Sequence, residues 1–393
     1  MKKEVPVEQL QFGVFVSELD RPWTDTPFVF QGFVLKDAKQ LETLKKYCKK
    51  VTIDLEKGAD VPGAGAPKAG KAGVRVLETI KEKVAYQEKV ALTAEAPVAR
   101  AAHTKASVVL KDIFGAAQAG KALDAPRVKE AVTNMTDSVV RNPDAMLLLA
   151  KMKEKGEHTL DRALGVSIYM ITFGRFLQLP REQLDLLGML GLLQDVGKVK
   201  IPEALYKKKG PLSEAERKIC ESHVQHSVTI LKETQGLPPE IPSLAGLHHE
   251  RYDGKGYPQG LKGGEIGLFG GIAGLVDCFD ALTQLRPYGE ALSPSNALNM
   301  LYGWRDTQFD GPLVEQFIHC IGIFPVGALV ELYSRETGIV IAQNPVMRLM
   351  PRVMVVLDSQ GGPVKPPRVV ERASIKRTLE KGSVAIDTSE YFL

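Results

Sequence analysis

Residues 192–202 read LLQDVGKVKIP, and residues 248–258 read HHERYDGKGYP. Four of the seven histidines, His223, His226, His248 and His249, fall between residues 191 and 250, interleaved with carboxylates. Asp195 ends a short apolar helix-like run. His223 lies on the next predicted helix, and His248 and His249 close another. Asp277 follows on the apolar run 272–276. Taken singly, each is a satisfied core histidine or a capping aspartate. Together, histidines and carboxylates projecting inward from several antiparallel helices form the donor set that a bundle uses to hold iron, manganese or zinc.

Composition narrows the setting. A chain of 393 residues is long enough for two or three domains and a buried helical core. The net charge of +4 is small for that length and argues against a DNA-binding protein. Cys48, Cys220, Cys278 and Cys320 form no CxxC pair, which fits small apolar residues in a reducing compartment. The opening MKKEVPVEQLQ has no apolar run behind its lysines, so no secretory signal is expected, and no stretch of about 18 apolar residues predicts a membrane span. The expected location is cytoplasmic.

Outward from the histidines, the chain divides by its periodicity. Residues 1–57 read as a small α/β domain, with strands at 13–16, 28–30, 32–35 and 51–54 and a helix over 37–49. Trp23, Phe28 and Phe33 are expected in its core. Residues 58–74, GADVPGAGAPKAGKAGV, form a flexible linker. Residues 75–154 are read as a helical connecting region and 155–324 as a helical domain. Breaks fall at Leu179-Pro180, Gly210-Pro211 and Leu237-Pro238-Pro239, and Ser213 with Glu216 predicts a capped helix start. After Pro325 short β-branched runs at 328–333, 338–342 and 353–357 predict a β appendage within 325–393. The Gly- and Pro-rich stretch 361–367 leads from it into a tail.

The motifs Gln194-Asp195-Val196-Gly197-Lys198, His223, His248-His249-Glu250 through Gly256-Tyr257-Pro258, and Asp277-Cys278-Phe279-Asp280 with Arg286-Pro287-Tyr288 resemble an HD-GYP domain over roughly residues 155–330. Residues 1–57 are similar to the accessory domain that often precedes it. The resemblance implies a mainly α fold, an HD-type helical bundle, flanked here by the N-terminal α/β domain and the C-terminal β appendage. It also implies a site for cyclic di-GMP, a bacterial second messenger that active members hydrolyse with two or three metals clamping the phosphate and activating water. It places metal ligands at Asp195, His223, His248, His249 and Asp277, and catalytic roles at Asp195 and Lys198. Lys198 and Arg286 would reach the ligand. Gly256, Tyr257 and Pro258 would shape the pocket wall or a surface for a signalling partner.

Two family ligands are replaced: the signature histidine by Gln194, and an upstream histidine by Arg162. A glutamine amide is a weak ligand, and a guanidinium has no lone pair to give. Both replaced residues serve one metal position, while Asp195, His223, His248 and His249 retain the other. Arg162 is therefore expected to pair with Asp195 or Asp277 in place of an ion. The resulting expectation is one divalent transition metal, iron or manganese, rather than two or three. The function expected is cyclic dinucleotide or partner binding in cyclic di-GMP signalling with weak or no hydrolysis. The alternative is an active metal-dependent phosphodiesterase producing pGpG or GMP. His158 lies one turn before Arg162, and His226 one turn after His223; both are expected outside the ligand set.

Overall fold

The structure is a computed structural model that describes residues 2–20, 26, 33–35, 37–54, 76–151, 158–208, 210–284, 291–344, 347 and 349–379. Trp23, the expected strand at 28–30, the linker at 58–74, Arg286 and the last residues of the tail lie outside these, as does the side chain of His158. Two compact units are present: Met1–Ala72 with Asn344–Met350, and Gly73–Gln343 with Pro351–Leu393.

In the first unit β1 (Lys2–Pro6), β2 (Phe15–Leu19), β3 (Phe33–Val34) and β4 (Lys50–Asp54) form an antiparallel sheet in the order β1-β4-β2-β3. One helix, α1 (Ala38–Tyr47), precedes β4; Asp37 caps it by accepting from the Gln40 N–H at 2.8 Å. Val7, Val16, Phe33, Leu35, Leu44 and Val51 make the core. Strand β1 has no apolar alternation to announce it. Its residues join the sheet through the ladder with β4, from Lys2 opposite Asp54 to Pro6 opposite Lys50.

The second unit is mainly α. Its helices are α2 (Leu92–Gln118), α3 (Ala125–Arg141), α4 (Pro143–Lys151), α5 (His158–Phe176), α6 (Arg181–Leu193), α7 (Glu203–Lys207), α8 (Glu214–Glu221), α9 (His223–Glu233), α10 (Ile241–Ala245), α11 (Gly267–Leu282), α12 (Pro294–Gly303) and α13 (Gly311–Ile321). Helix breaks fall at the three expected proline sites, and Ser213 with Glu216 forms a capping box at α8. Helices α5, α11 and α13 meet at a buried aromatic cluster. Phe173 and Phe279 each lie edge-on to Phe317, with ring centroids 5.1 and 5.3 Å apart. Such edge contacts add to the area buried, and they fix the two helices that carry Arg162 and Asp277. Among the described residues no helix is long and apolar enough to cross a membrane, and no two cysteines form a disulfide.

Two expectations are corrected here. Residues 80–91 form no helix. Their backbone is taken by the ends of other helices: the Val84 N–H donates to Gln178 O at 2.7 Å and Lys89 N–H to Arg141 O at 3.0 Å. The expected C-terminal β appendage is present, and it reaches further than read, taking in part of the Gly- and Pro-rich stretch. β5 (Leu329–Leu332), β6 (Thr337–Ala342), β7 (Arg352–Leu357), β8 (Pro363–Val370) and β9 (Ile375–Thr378) form one antiparallel sheet, ordered β8-β7-β6-β5-β9. The prolines of β8 are accommodated because it is an edge strand, where a missing N–H leaves no ladder bond broken.

Asp144, in the first turn of α4, is buried. Burial pushes its carboxyl up to about 7, Glu88 adds to this, and Arg175 and Arg352 oppose it. A carboxyl raised on folding binds more protons in the folded chain. Its stabilising effect is complete below its ordinary value of 3.8 and is lost as pH rises through about 7. Asp144→Asn will therefore flatten the pH dependence of stability. Between pH 5 and 8 the wild type will lose on the order of 2 kcal/mol that the variant keeps, read from urea midpoints at each pH.

Candidate metal centre

Helix α6 is apolar to its end, so its last turn is driven into the core and carries the next two residues with it. Gln194 caps the helix, and Asp195 begins a short 3-10 turn at Val196–Lys200. That turn packs against the start of α9. A Cβ on Gly197 would lie 2.2 Å from His223 O and 2.3 Å from Ser227 N, so only glycine permits this approach. The Gly197 N–H donates to Ser227 Oγ at 2.8 Å, completing the seam. The short segment after α10 then brings in His248 and His249.

The rings of His223 and His248 are held by their inner nitrogens. Nδ1 of His223 is 2.7 Å from Cys220 O, and Nδ1 of His248 is 2.8 Å from Ala245 O. A carbonyl only accepts, so each Nδ1 carries the proton, which leaves Nε2 as the atom each ring turns toward Asp195. Those two Nε2 atoms lie 3.4 Å apart, and 3.2 and 3.6 Å from Asp195 Oδ1. His249 completes the group, its ring centroid 4.2 Å from that of His248. One ligand atom from each of the three histidines lies within 4.8 Å of the others. Burial, reinforced by His248 and His223, holds the His249 imidazole well below its ordinary pKa and keeps it neutral.

Asp195 is buried, and burial opposes its charge. Lys198 and the two histidines outweigh that and hold the carboxyl well below the usual carboxylate range. The Lys198 ammonium donates to Oδ2 at 2.5 Å. Oδ1 receives no hydrogen bond from the described residues. A buried oxygen left in this state is costly unless something fills its place. A single shared proton satisfies at most one pair among these atoms, whereas a divalent cation satisfies all of them. Donors bound tetrahedrally about 2.0–2.2 Å from one ion lie about 3.3–3.6 Å apart, close to the spacing among Asp195 Oδ1 and the two Nε2 atoms. His223, His248 and His249, with Asp195 against the first two, therefore fit a divalent metal in donor type.

The neighbouring position is built differently. Arg162, on α5, donates from Nη2 to Asp277 Oδ1 at 2.6 Å and from Nε to Asp280 Oδ2 at 3.2 Å. Burial opposes its charge, but Asp277, Asp280 and then Asp195 raise its pKa further above the ordinary arginine value. Asp277 is thus engaged by a guanidinium. Asp280 was given no role from the sequence, although it lies three residues on and shares the α11 face; it also accepts from Gln284 Nε2 at 2.5 Å. Gln194 is 1 % exposed, and neither amide atom has a hydrogen-bond partner among the described residues.

The loop carrying Gly256, Tyr257 and Pro258 lies against the histidines. The Tyr257 ring stacks on His249 at 4.7 Å with 21° between planes. Burial, then Glu221, raise the Tyr257 pKa. Tyr206, on α7, was also missed; its hydroxyl is buried, and its pKa is raised first by burial and then by Asp195. No spacing rule points to it. His226 is half-buried and outside the histidine group. Lys208 reaches Glu216 at 2.6 Å, a contact that supports the cap of α8.

The sequence pattern of the HD domain matches residues 144–313, and that of a domain of unknown function, DUF3391, matches residues 2–128. The cyclic di-GMP phosphodiesterase PA4108 of Pseudomonas aeruginosa is 32% identical over 373 residues, covering 94% of this chain and 89% of its own. The chain belongs to the HD-GYP family. A second relative, the cyclic di-GMP phosphodiesterase response regulator RpfG of Xanthomonas campestris, is 38% identical over 143 residues, 36% of this chain and 38% of its own. Among solved structures, the HDG"Y"P protein Bd1817 of Bdellovibrio bacteriovorus covers 81% of this chain and 98% of its own, at 13% identity and a TM-score of 0.47.

Proposed function

We propose that this HD-GYP protein is a cytoplasmic component of cyclic di-GMP signalling that holds one divalent ion, iron or manganese, and hydrolyses the dinucleotide weakly or not at all. The observation that carries this reading is the pair of bonds from Arg162 to Asp277 and Asp280. They neutralise, with a fixed cation, carboxylates that would otherwise face a second ion. Gln194 offers only a neutral amide beside them.

Asp195, His223, His248 and His249 would hold the ion, which when bound supplies Lewis acidity toward a phosphate oxygen. Lys198 keeps Asp195 ionised and offers its ammonium at the same edge of the site. Tyr257 forms a wall over His249. Arg286 is assigned to the ligand phosphate by its place after the Asp277 motif, and the Gly256-Tyr257-Pro258 loop to a pocket wall or a signalling partner. An active phosphodiesterase is the second reading. It is favoured by the complete histidine group and by the name of the relative that spans most of the chain.

Metal content and turnover separate the two. The purified protein will carry about one ion per chain. The double variant Arg162→His, Gln194→His will take up a second. A second ion worth about 3 kcal/mol in the transition state will raise cyclic di-GMP hydrolysis about 100-fold over wild type. Rapid wild-type turnover with two ions per chain would establish the second reading instead.

A further inference from the structure

We infer that Glu250 is a positioning residue that ties the loop at residues 252–263 to His249, so that metal occupancy and loop conformation are linked. This rests on the reading of His249 as a metal ligand. Glu250 is 2 % exposed. Each of its oxygens accepts from the loop backbone: Oε1 from the Gln259 N–H at 2.7 Å, Oε2 from the Leu261 N–H at 3.0 Å. A buried carboxylate spent on two backbone amides is a clamp, since charge-assisted bonds are about twice as strong as neutral ones.

The loop and the histidine segment also meet backbone to backbone. A Cβ on Gly256 would lie 2.3 Å from Arg251 N and 2.5 Å from both Glu250 Cα and His249 O. The Tyr257 N–H donates to His249 O at 3.2 Å, while its ring covers the His249 imidazole. Residue 257 therefore holds both the carbonyl and the ring of one residue. The loop is closed on itself by Gly263 N–H to Tyr252 O at 3.0 Å, and pinned to a distant turn by Tyr252 N–H to Gln308 O at 2.9 Å.

These contacts leave His249 little freedom to move unless the loop moves with it. His223 and His248 have carbonyls behind Nδ1 to orient them. The ring contacts of His249 are instead with His223, His248 and Tyr257. The loop thus does for His249 what backbone carbonyls do for the other two. Coupling of this kind is reciprocal: whatever orients His249 restrains the loop, and whatever restrains the loop orients His249.

The test uses the full chain, cobalt(II) as the probe, and its visible absorption to report the ligand set. Cobalt(II) will bind wild type and slow amide hydrogen exchange at Tyr257, Gln259 and Leu261. Glu250→Gln, which cannot accept from both amides, will bind about 10–100-fold more weakly and show less slowing. Tyr257→Leu leaves the Glu250 clamp in place and will lose affinity, an independent check should Glu250→Gln fail to fold. Wild-type affinity and exchange in both Glu250→Gln and Tyr257→Leu would overturn the linkage while leaving the metal reading intact. A wild type that takes up no cobalt would remove both.

Discussion

Arg162→Ala will destabilise the helical unit by about 3 kcal/mol at neutral pH, the lower end for breaking a buried ion pair by removing one partner. The reason lies in what remains. Asp277 and Asp280 have side chains 8% and 6% exposed, and both lose their cation. Gln284 still donates to Asp280, but an amide does not balance a charge. The variant also gains something the wild type lacks. Two carboxylates then face a space without a fixed cation, beside a site that already fits a metal. Millimolar manganese will raise the thermal midpoint of Arg162→Ala more than that of wild type, because an ion bound only by the folded chain stabilises it by mass action. Thermal unfolding with manganese and with EDTA measures both effects. Equal midpoints for variant and wild type in EDTA would show that Arg162 is not the counter-charge of this position.

What could be read beforehand follows the range of the forces involved. The capping box of Ser213 and Glu216, the proline breaks and the strands near 329–332 and 353–357 depend on neighbours in sequence, and their patterns are visible there. Strand β1 and the non-helical segment 80–91 have no such pattern. Each exists because a distant backbone offers hydrogen bonds: β4 for the first, the ends of α3 and α5 for the second. Strand β8 was hidden by prolines that an edge strand tolerates. At the site, residue types made the histidine cluster legible, since histidines beside carboxylates have few other uses in such density. Pairing was only half legible. Arg162 reaches Asp277 across 115 residues and Asp280 across 118, and no local spacing selects between them. Glu250 was in plain view beside His249, but its partners are main-chain amides, which no side-chain motif records.

Asp195→Ala will abolish metal uptake, lowering affinity by at least about 100-fold. Asp195 is the only carboxylate that meets two histidines of the group among the described residues, with Oδ1 3.2 and 3.6 Å from their Nε2 atoms. Without it the donors are three imidazoles, none of which supplies a negative charge. The charge that offsets the cost of drawing a dication out of water is gone, and Lys198 remains as an uncompensated ammonium beside the rings. Loss of the anion and exposure of the cation act in the same direction, so this change exceeds the loss of any one histidine. Gln194→Ala is the matched control. It alters the adjacent residue, also buried, but removes an amide with no hydrogen-bond partner among the described residues, and metal affinity will stay within about threefold of wild type. Isothermal titration with manganese or cobalt on both variants reads the contrast directly. Equal losses in the two would mean that the centre depends on packing at the end of α6 rather than on the Asp195 carboxylate. A loss confined to Asp195→Ala assigns the ion to the half of the site that Arg162 does not occupy.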